Sequence, residues 1–261
     1  MMDRLGKLAE IRGSLSSGQV SLGTWIQFRD GSTAEIMGAA GYDWVAVDME
    51  HGSISVGDLP DIFRALELGG TLPLVRLAEG TSREARSALD AGAAGVIIPM
   101  IESAEQLASL RDITRWPPAG RRGVGFARVN LYGSRFDDYG VEAQAPLLVA
   151  MIETSAGVER LAEIVSVEGL DAVLIGPYDL SASIGHVAEF EHSHFVSAME
   201  RIRATCAEAG VPVGVHVVQP DRGQLDARIA EGYRFIAYSI DSVMLWTAAA
   251  NPLGEGKDAR G

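Results

Sequence analysis

The heptapeptide AGAAGVI, Ala91–Ile97, closes a stretch of helical spacing with a glycine and runs straight into Val and Ile. The same joint recurs as GAAGYDW at Gly38–Trp44 and as AEGYRFI at Ala230–Ile236. Glycine tolerates the left-handed backbone that ends a helix, so each joint reads as helix, turn, strand. Working outward, apolar runs rich in Val, Ile and Leu fall at Leu22–Ile26, Trp44–Asp48, Leu72–Arg76, Gly95–Pro99, Leu147–Ile152, Ala172–Ile175, Val211–His216 and Phe235–Tyr238. Each is followed by a turn containing Gly, Pro or Asp and then by helical spacing. Continuous apolar strands are covered on both faces, and eight of them alternating with helices predict an α/β fold, a single (β/α)8 TIM barrel. An open doubly wound sheet is the alternative. Against it, Gly23 lies inside the first strand and no GxGxxG follows.

The 261 residues, 47% of them apolar, are enough to bury a large core, read here as a barrel domain over 1–250 with a disordered tail over 251–261. A net charge of −13 repels nucleic-acid phosphates and anionic lipid, so neither is expected as a partner. Cys206 is the only cysteine, which excludes an intrachain disulfide and a thiolate metal cluster. The amphipathic opening MMDRLGKLAEIRGSL has no apolar signal core, and a cytoplasmic protein is expected. One segment breaks the rhythm. Arg115–Ala145 has little periodicity and reads either as a lid or binding loop or as a disordered insertion, and its Arg121, Arg122 and Arg128 fit either an anionic partner group or plain solvation.

In such barrels chemistry gathers where strands end. Strand two ends in Asp48-Met49-Glu50-His51-Gly52, strand three in Arg76, strand five in Glu153-Thr154, strand six in Gly176-Pro177-Tyr178-Asp179 and strand seven in His216. Glu153 and Asp179 would repel each other unless a cation joined them, and hard oxygen donors suit Mg²⁺ or Mn²⁺. The structural alternatives are a helix cap for Asp179 and a salt-bridged Glu153. His51, with Asp48 three residues earlier, has the make-up of an acid/base. Arg76 closes an apolar run and needs an anion, which could be a substrate oxygen or, in a buried ion pair, Glu50 or Glu153. Gly176–Asp179 opens a helix whose free amides could take a carboxylate.

These residues resemble the class II, metal-dependent pyruvate aldolases of the HpcH/HpaI type. The pieces that carry the likeness are VDMEHG (Val47–Gly52), LVR (Leu74–Arg76), LDAGAAGVIIPM (Leu89–Met100), PPAGRRGVG (Pro117–Gly125), IET (Ile152–Thr154) and IGPYDLSASIG (Ile175–Gly185). The resemblance implies Glu153 and Asp179 as ligands of a divalent metal (Mg²⁺, Mn²⁺ or Co²⁺), Arg76 as the group that steadies an enolate, and His51 as the acid/base. It also implies Asp90 as the carboxylate supporting that histidine, although Asp48 is the nearer candidate in the chain. It implies a homo-oligomer, a hexamer, with a C-terminal helix around Asp241–Ala250 exchanged between barrels. Two positions depart from the family pattern: Met151 stands where a glutamine contacts substrate, and Tyr178 stands where an alanine lies beside the carboxylate-binding amides. The expected reaction is cleavage or formation of the C3–C4 bond of a 4-hydroxy-2-oxo acid, giving pyruvate or a close 2-oxo acid and an aldehyde. No lysine ends a strand, which argues against a Schiff base. A related lyase of the acyl-CoA type and a non-catalytic barrel that binds a 2-oxo acid are the alternatives.

Overall fold

The computed structural model of the chain describes residues 2–250; the predicted tail, 251–261, lies outside them. The elements are α1 (Arg4–Ser16), β1 (Ser21–Ile26), α2 (Gly31–Ala39), β2 (Trp44–Asp48), α3 (Leu59–Leu68), β3 (Leu72–Arg76), α4 (Ser82–Ala91), β4 (Gly95–Ile98) and α5 (Ala104–Thr114). A 3-10 segment (Arg128–Gly133) and α6 (Phe136–Glu142) precede β5 (Leu147–Ile152), α7 (Ser155–Glu159), α8 (Leu161–Ile164) and β6 (Ala172–Ile175). Then come α9 (Pro177–Ser183), α10 (Ser193–Ala209), β7 (Val213–Val217), α11 (Arg222–Ala230), β8 (Phe235–Ile240) and α12 (Asp241–Ala248). The eight strands pair in parallel, each with the next, and β8 closes on β1. This is the (β/α)8 barrel that the sequence predicts.

The joints behave as read. Gly41, Gly92 and Gly232 have φ of 87°, 122° and 99°, a region that side chains resist. Strand ends moved by one or two residues at four strands. β7 starts at Val213 rather than Val211 because Pro212 has no N–H to give the ladder, although its carbonyl accepts from Val173 (2.9 Å).

Two apolar shells follow from the two-residue period of a strand. Outward residues such as Val45, Val47, Leu148 and Ala150 pack under the helices, and inward ones such as Trp44, Leu74, Val149 and Phe235 fill the barrel. The inner shell alternates bulk with absence. Trp44 stacks on Phe235 (centroids 4.4 Å apart, planes 6°) and meets Trp25 edge-on at 6.3 Å. Gly23 and Gly214 give these rings their space: a Cβ on Gly23 would run into the Trp44 indole, and one on Gly214 into Phe235. Leu8, Ile11 and Leu15 of α1 join the same inner shell and plug the foot of the barrel.

The irregular stretch before β5 is ordered and lies at that same foot, because it connects the end of a helix to the start of a strand. It is neither a disordered insertion nor a lid over the mouth of its own barrel. Trp116, Tyr139 and Ala143 give it a small core. Two of its arginines are committed internally. Arg122 is 1% exposed and donates to the Tyr139 hydroxyl, while Arg128 pairs with Glu67 of α3 and donates to the Ala91 carbonyl (3.2 Å). Arg121 stays exposed, with Nη2 on Ser109 Oγ at 3.1 Å. Neither Arg122 nor Arg128 is therefore open to an anionic partner. Among the described residues no helix is long and apolar enough to cross a membrane.

Replacing Gly23 with alanine is expected to cost about 2 kcal/mol or more, through overpacking against Trp44. Gly13→Ala, in α1 with nothing within 4 Å, should be neutral or stabilising. Urea unfolding of both variants checks this, and equal midpoints would contradict the packing argument.

Candidate active site

Asp48 and Arg76 are register partners at the ends of β2 and β3, so their side chains leave the sheet side by side into the mouth. Arg76 Nε donates to Asp48 Oδ1 (2.9 Å) and Nη2 to Oδ2 (2.6 Å), a two-pronged pair in which Asp48 is 1% exposed. Gln27 Nε2 adds a bond to Oδ2 (2.9 Å), and the amides of Glu50 and His51 donate to Oδ1 at 3.1 and 3.2 Å. Burial alone would raise the Asp48 carboxyl, but the Arg76 bonds outweigh it and hold the group below the usual carboxylate range. The guanidinium lies 4.8 Å over the Trp25 ring, and its Nη1 is 3.1 Å from Glu50 Oε2 at an angle too poor for a hydrogen bond.

Across the mouth, Glu153 follows β5 and is 1% exposed. Its Oε1 accepts from the Met100 amide (2.6 Å), and Met100 takes a left-handed φ of 52° at that turn. Its Oε2 is sealed from water and has no partner. Burial pushes the Glu153 carboxyl up to about 7; the Met100 bond and Arg76 oppose this, while the charges of Glu50 and Asp179 add to it. Burial likewise raises Glu50. Gly176 makes the arrangement possible, since a Cβ there would occupy the place of Glu153 Oε2. Asp179 stands exposed in the first turn of α9. An orphaned buried carboxylate oxygen on which the charges of Glu50 and Asp179 also act, with no thiol or imidazole among the described residues that act most on it, fits a hard divalent cation held by Glu153 and Asp179.

The family model for HpcH/HpaI aldolase/citrate lyase matches residues 21–248, from β1 to α12. The chain belongs to that family. It is 35% identical over 241 residues to the hydroxypyruvate/pyruvate aldolase of Roseobacter denitrificans, covering 91% of this chain and 93% of that one. It is 34% identical to the 2-dehydro-3,6-dideoxy-6-sulfogluconate aldolase of Pseudomonas putida, covering 87% and 89%. The crystal structure of an HpcH/HpaI aldolase/citrate lyase family protein from Burkholderia cenocepacia J2315 has a TM-score of 0.86 at 32% identity, covering 92% of this chain and 96% of that one.

Within this family framework the structure brings Asp48, Glu50, His51, Arg76, Glu153, Gly176, Pro177, Tyr178 and Asp179 to one end of the barrel. His51 is exposed there, and no hydrogen bond reaches its ring among the described residues. The expectation that Asp48 orients that imidazole is not met, because Arg76 takes the carboxylate and only the main chain of His51 reaches it. Asp90 is elsewhere. It ends α4 at the foot, near Arg122 and Arg86, and burial raises its carboxyl. Met151 is 3% exposed in the inner shell one strand period below Glu153, so it makes the floor of the mouth apolar. Tyr178 is 47% exposed and packs edge-on against Phe190 at 5.1 Å.

Glu50 is one of the two carboxylates that the sequence offers Arg76 as an ion-pair partner, and the fold sets its Oε2 3.1 Å from Nη1. One group of the site was not singled out from the sequence. Gln27, whose neighbours Asp241 and Ser242 fix it from the start of α12, has no motif to announce it. His216 is a floor residue. Burial pushes it down to about 4, so it is neutral at pH 7, and its Nε2 is sealed without a partner.

The raised Glu153 carboxyl fixes the sign of a pH effect. Below about 7 the metal-free site holds a proton where a cation would bind, and above 7 it does not. Mg²⁺ or Mn²⁺ affinity is expected to fall about tenfold for each pH unit below 7 and to level off above it. Calorimetric titrations from pH 5.5 to 8 check this; a flat profile would contradict it.

Proposed function

We propose that this chain is a class II aldolase that cleaves, and in reverse forms, the C3–C4 bond of a 4-hydroxy-2-oxo acid, giving pyruvate or a close 2-oxo acid and an aldehyde. The observation that carries the reading is the partnerless Glu153 Oε2 beside Asp179, facing an arginine that Asp48 holds rigid. A buried carboxylate with no partner destabilises a protein. A barrel that only filled space would gain nothing from it.

Glu153 and Asp179 would hold a divalent cation, which when bound would supply Lewis acidity to the 2-oxo acid. We take Mg²⁺, Mn²⁺ and Co²⁺ as the candidates. Arg76 then acts at the C2 oxygen: Asp48 fixes two edges of its guanidinium, and Nη1 faces the site with only the poorly angled Glu50 contact to lose. Its charge offsets the negative charge that builds on C2–O as the C3–C4 bond breaks. His51, exposed at the rim, accepts the proton of the C4 hydroxyl directly or through water. The first-turn amides of α9, at Tyr178 and Asp179, have no acceptor within the helix and suit the far carboxylate oxygen. Met151 offers no hydrogen bond to the keto acid, and Tyr178 narrows the rim, so both act on substrate choice. Asp90, at the foot of its own barrel, could support a His51 only across a subunit boundary.

Metal-stripped protein should release no pyruvate from a panel of 4-hydroxy-2-oxo acids until Mg²⁺, Mn²⁺ or Co²⁺ is added. Glu153→Gln and Asp179→Asn should remove that response, and Arg76→Lys should lower kcat by roughly 10²-fold with a smaller change in KM. Activity that survives chelation, or a borohydride-trapped adduct with pyruvate, would sink this mechanism.

We also propose a homo-oligomer. Leu245 and Trp246 on α12 are 59% and 76% exposed, apolar surface of the kind a neighbouring barrel covers. Light scattering should find the native chain assembled and Trp246→Arg in smaller species; a native monomer would refute it. The lone thiol, Cys206, is buried, and burial pushes it up to about 12, which suits a reducing cytoplasmic setting. Cell fractionation that recovered the protein outside the cytoplasmic fraction would contradict that placement.

A further inference from the structure

Three of the five histidines lie between α9 and the first turn of α10, in the sequence HVAEFEHSH at His186–His194. The fold gathers them on one side of the loop. One ligand nitrogen from each of His186, His192 and His194 lies within 4.8 Å of the other two. The His186 and His192 rings are stacked, with centroids 3.4 Å apart and planes at 17°, and His194 stands nearly perpendicular to both, at 6.1 and 5.0 Å. His186 and His192 are half-buried, and His194 is exposed. His186 Nδ1 is 3.4 Å from Glu189 Oε2, which leaves its Nε2 pointing away from that carboxylate.

We propose that His186, His192 and His194 form a second metal site on this chain, taking one Zn²⁺ or similar borderline divalent transition ion, apart from the oxygen-donor site of Glu153 and Asp179. Three imidazoles brought within a few ångströms have no attraction that survives protonation, but they do share an affinity for such ions. Glu189 stands where the carboxylate partner of a ligating histidine stands, fixing the ring and raising its basicity. Mg²⁺ is a poor occupant, because it prefers oxygen ligands. The opposing term is small. His192 Nδ1 accepts from the His194 amide at 3.3 Å, a weak cap on α10. A neutral ring accepting there carries its proton on Nε2, so binding through either nitrogen gives up that one bond.

Occupancy would join the loop to the start of α10. Between the ligands sits Phe190, packed on Tyr178 (5.1 Å) and on Phe195 of α10 (5.3 Å). Tyr178 precedes Asp179 in α9, so the ion would brace one wall of the barrel mouth without touching substrate. The role is structural.

The test uses the full chain carrying Glu153→Gln and Asp179→Asn, so that the oxygen-donor site is silent. Equilibrium dialysis at pH 7.5 should find one Zn²⁺ per chain with a Kd of about 1 μM or tighter, unaffected by excess Mg²⁺. Adding His186→Ala, His192→Ala and His194→Ala should weaken it at least about 100-fold. Zn²⁺ should raise the Tm of the first protein and not of the second, and Cu²⁺ bound in its place should give an electron-spin signal split by nitrogen. If the triple substitution fails to fold, His194→Gln alone, an exposed change, should weaken binding and alter that signal. Absent Zn²⁺ binding, or binding that persists after the histidines are replaced, overturns the proposal. The metal-dependent aldolase reading stands or falls separately, on pyruvate release by the protein with Glu153 and Asp179 intact.

Discussion

The mouth of the barrel is organised by the Asp48–Arg76 pair. A guanidinium and a carboxylate on neighbouring parallel strands, in register, meet without either chain bending. Both are nearly sealed, so removing one partner would strand the other as a buried charge, a loss on the order of 3–5 kcal/mol. The pair is thus hard to break, and everything hung on it inherits that rigidity. Gln27 from β1 and the backbone turn at Glu50–His51 bond to the same carboxylate. Trp25 supports the guanidinium from below. In the proposed reaction the value of Arg76 would lie in this confinement: a charge that needs no reorganisation when negative charge develops beside it does more than a mobile one.

The barrel was legible because its signals are local and repeated. Apolar runs, helix-ending glycines and helical spacing each depend on a few neighbouring residues, and the closed sheet is the arrangement that lets all of them bury. Gly23 illustrates the limit. From the sequence it only argues against a dinucleotide fold; its positive purpose, room for Trp44, depends on a residue of the next strand. The stretch before β5 was misjudged for a similar reason. Glycine, proline and arginine mark an irregular segment, but which end of the barrel it covers follows from its joining a helix end to a strand start, and its arginines are partnered by Tyr139 and by Glu67 of a distant helix.

The site divides in the same way. Carboxylates at the ends of strands five and six are readable once a barrel is expected, since strand ends converge. The local neighbourhood of His51 misled: Asp48 is three residues away, yet its side chain follows the strand direction and meets Arg76, leaving only the His51 amide within reach. Gln27 is positioned by long-range packing that no spacing encodes. The histidine group after α9 lay in view as H-x5-H-x-H, but only the loop's path shows that the rings converge.

Burial raises the Glu153 carboxyl, and under the proposed metal role the same burial would favour a cation. The apolar floor made by Met151 and the closed approach at Gly176 deny Oε2 a water or an N–H, which is why its carboxyl rises to about 7. A proton relieves that charge alone, whereas a divalent cation also relieves Asp179 and Glu50, whose charges contribute to the strain. On the proposed reading a cation would therefore compete with the proton at neutral pH, and hard ions that accept oxygen donors and retain open positions would suit the site. Arg76 cannot take that part, because Asp48 already holds it on the opposite side of the mouth. In the proposed mechanism the separation of the two charges, one fixed by a carboxylate and one left for an ion, would let a 2-oxo acid lie between them with its developing charge facing both.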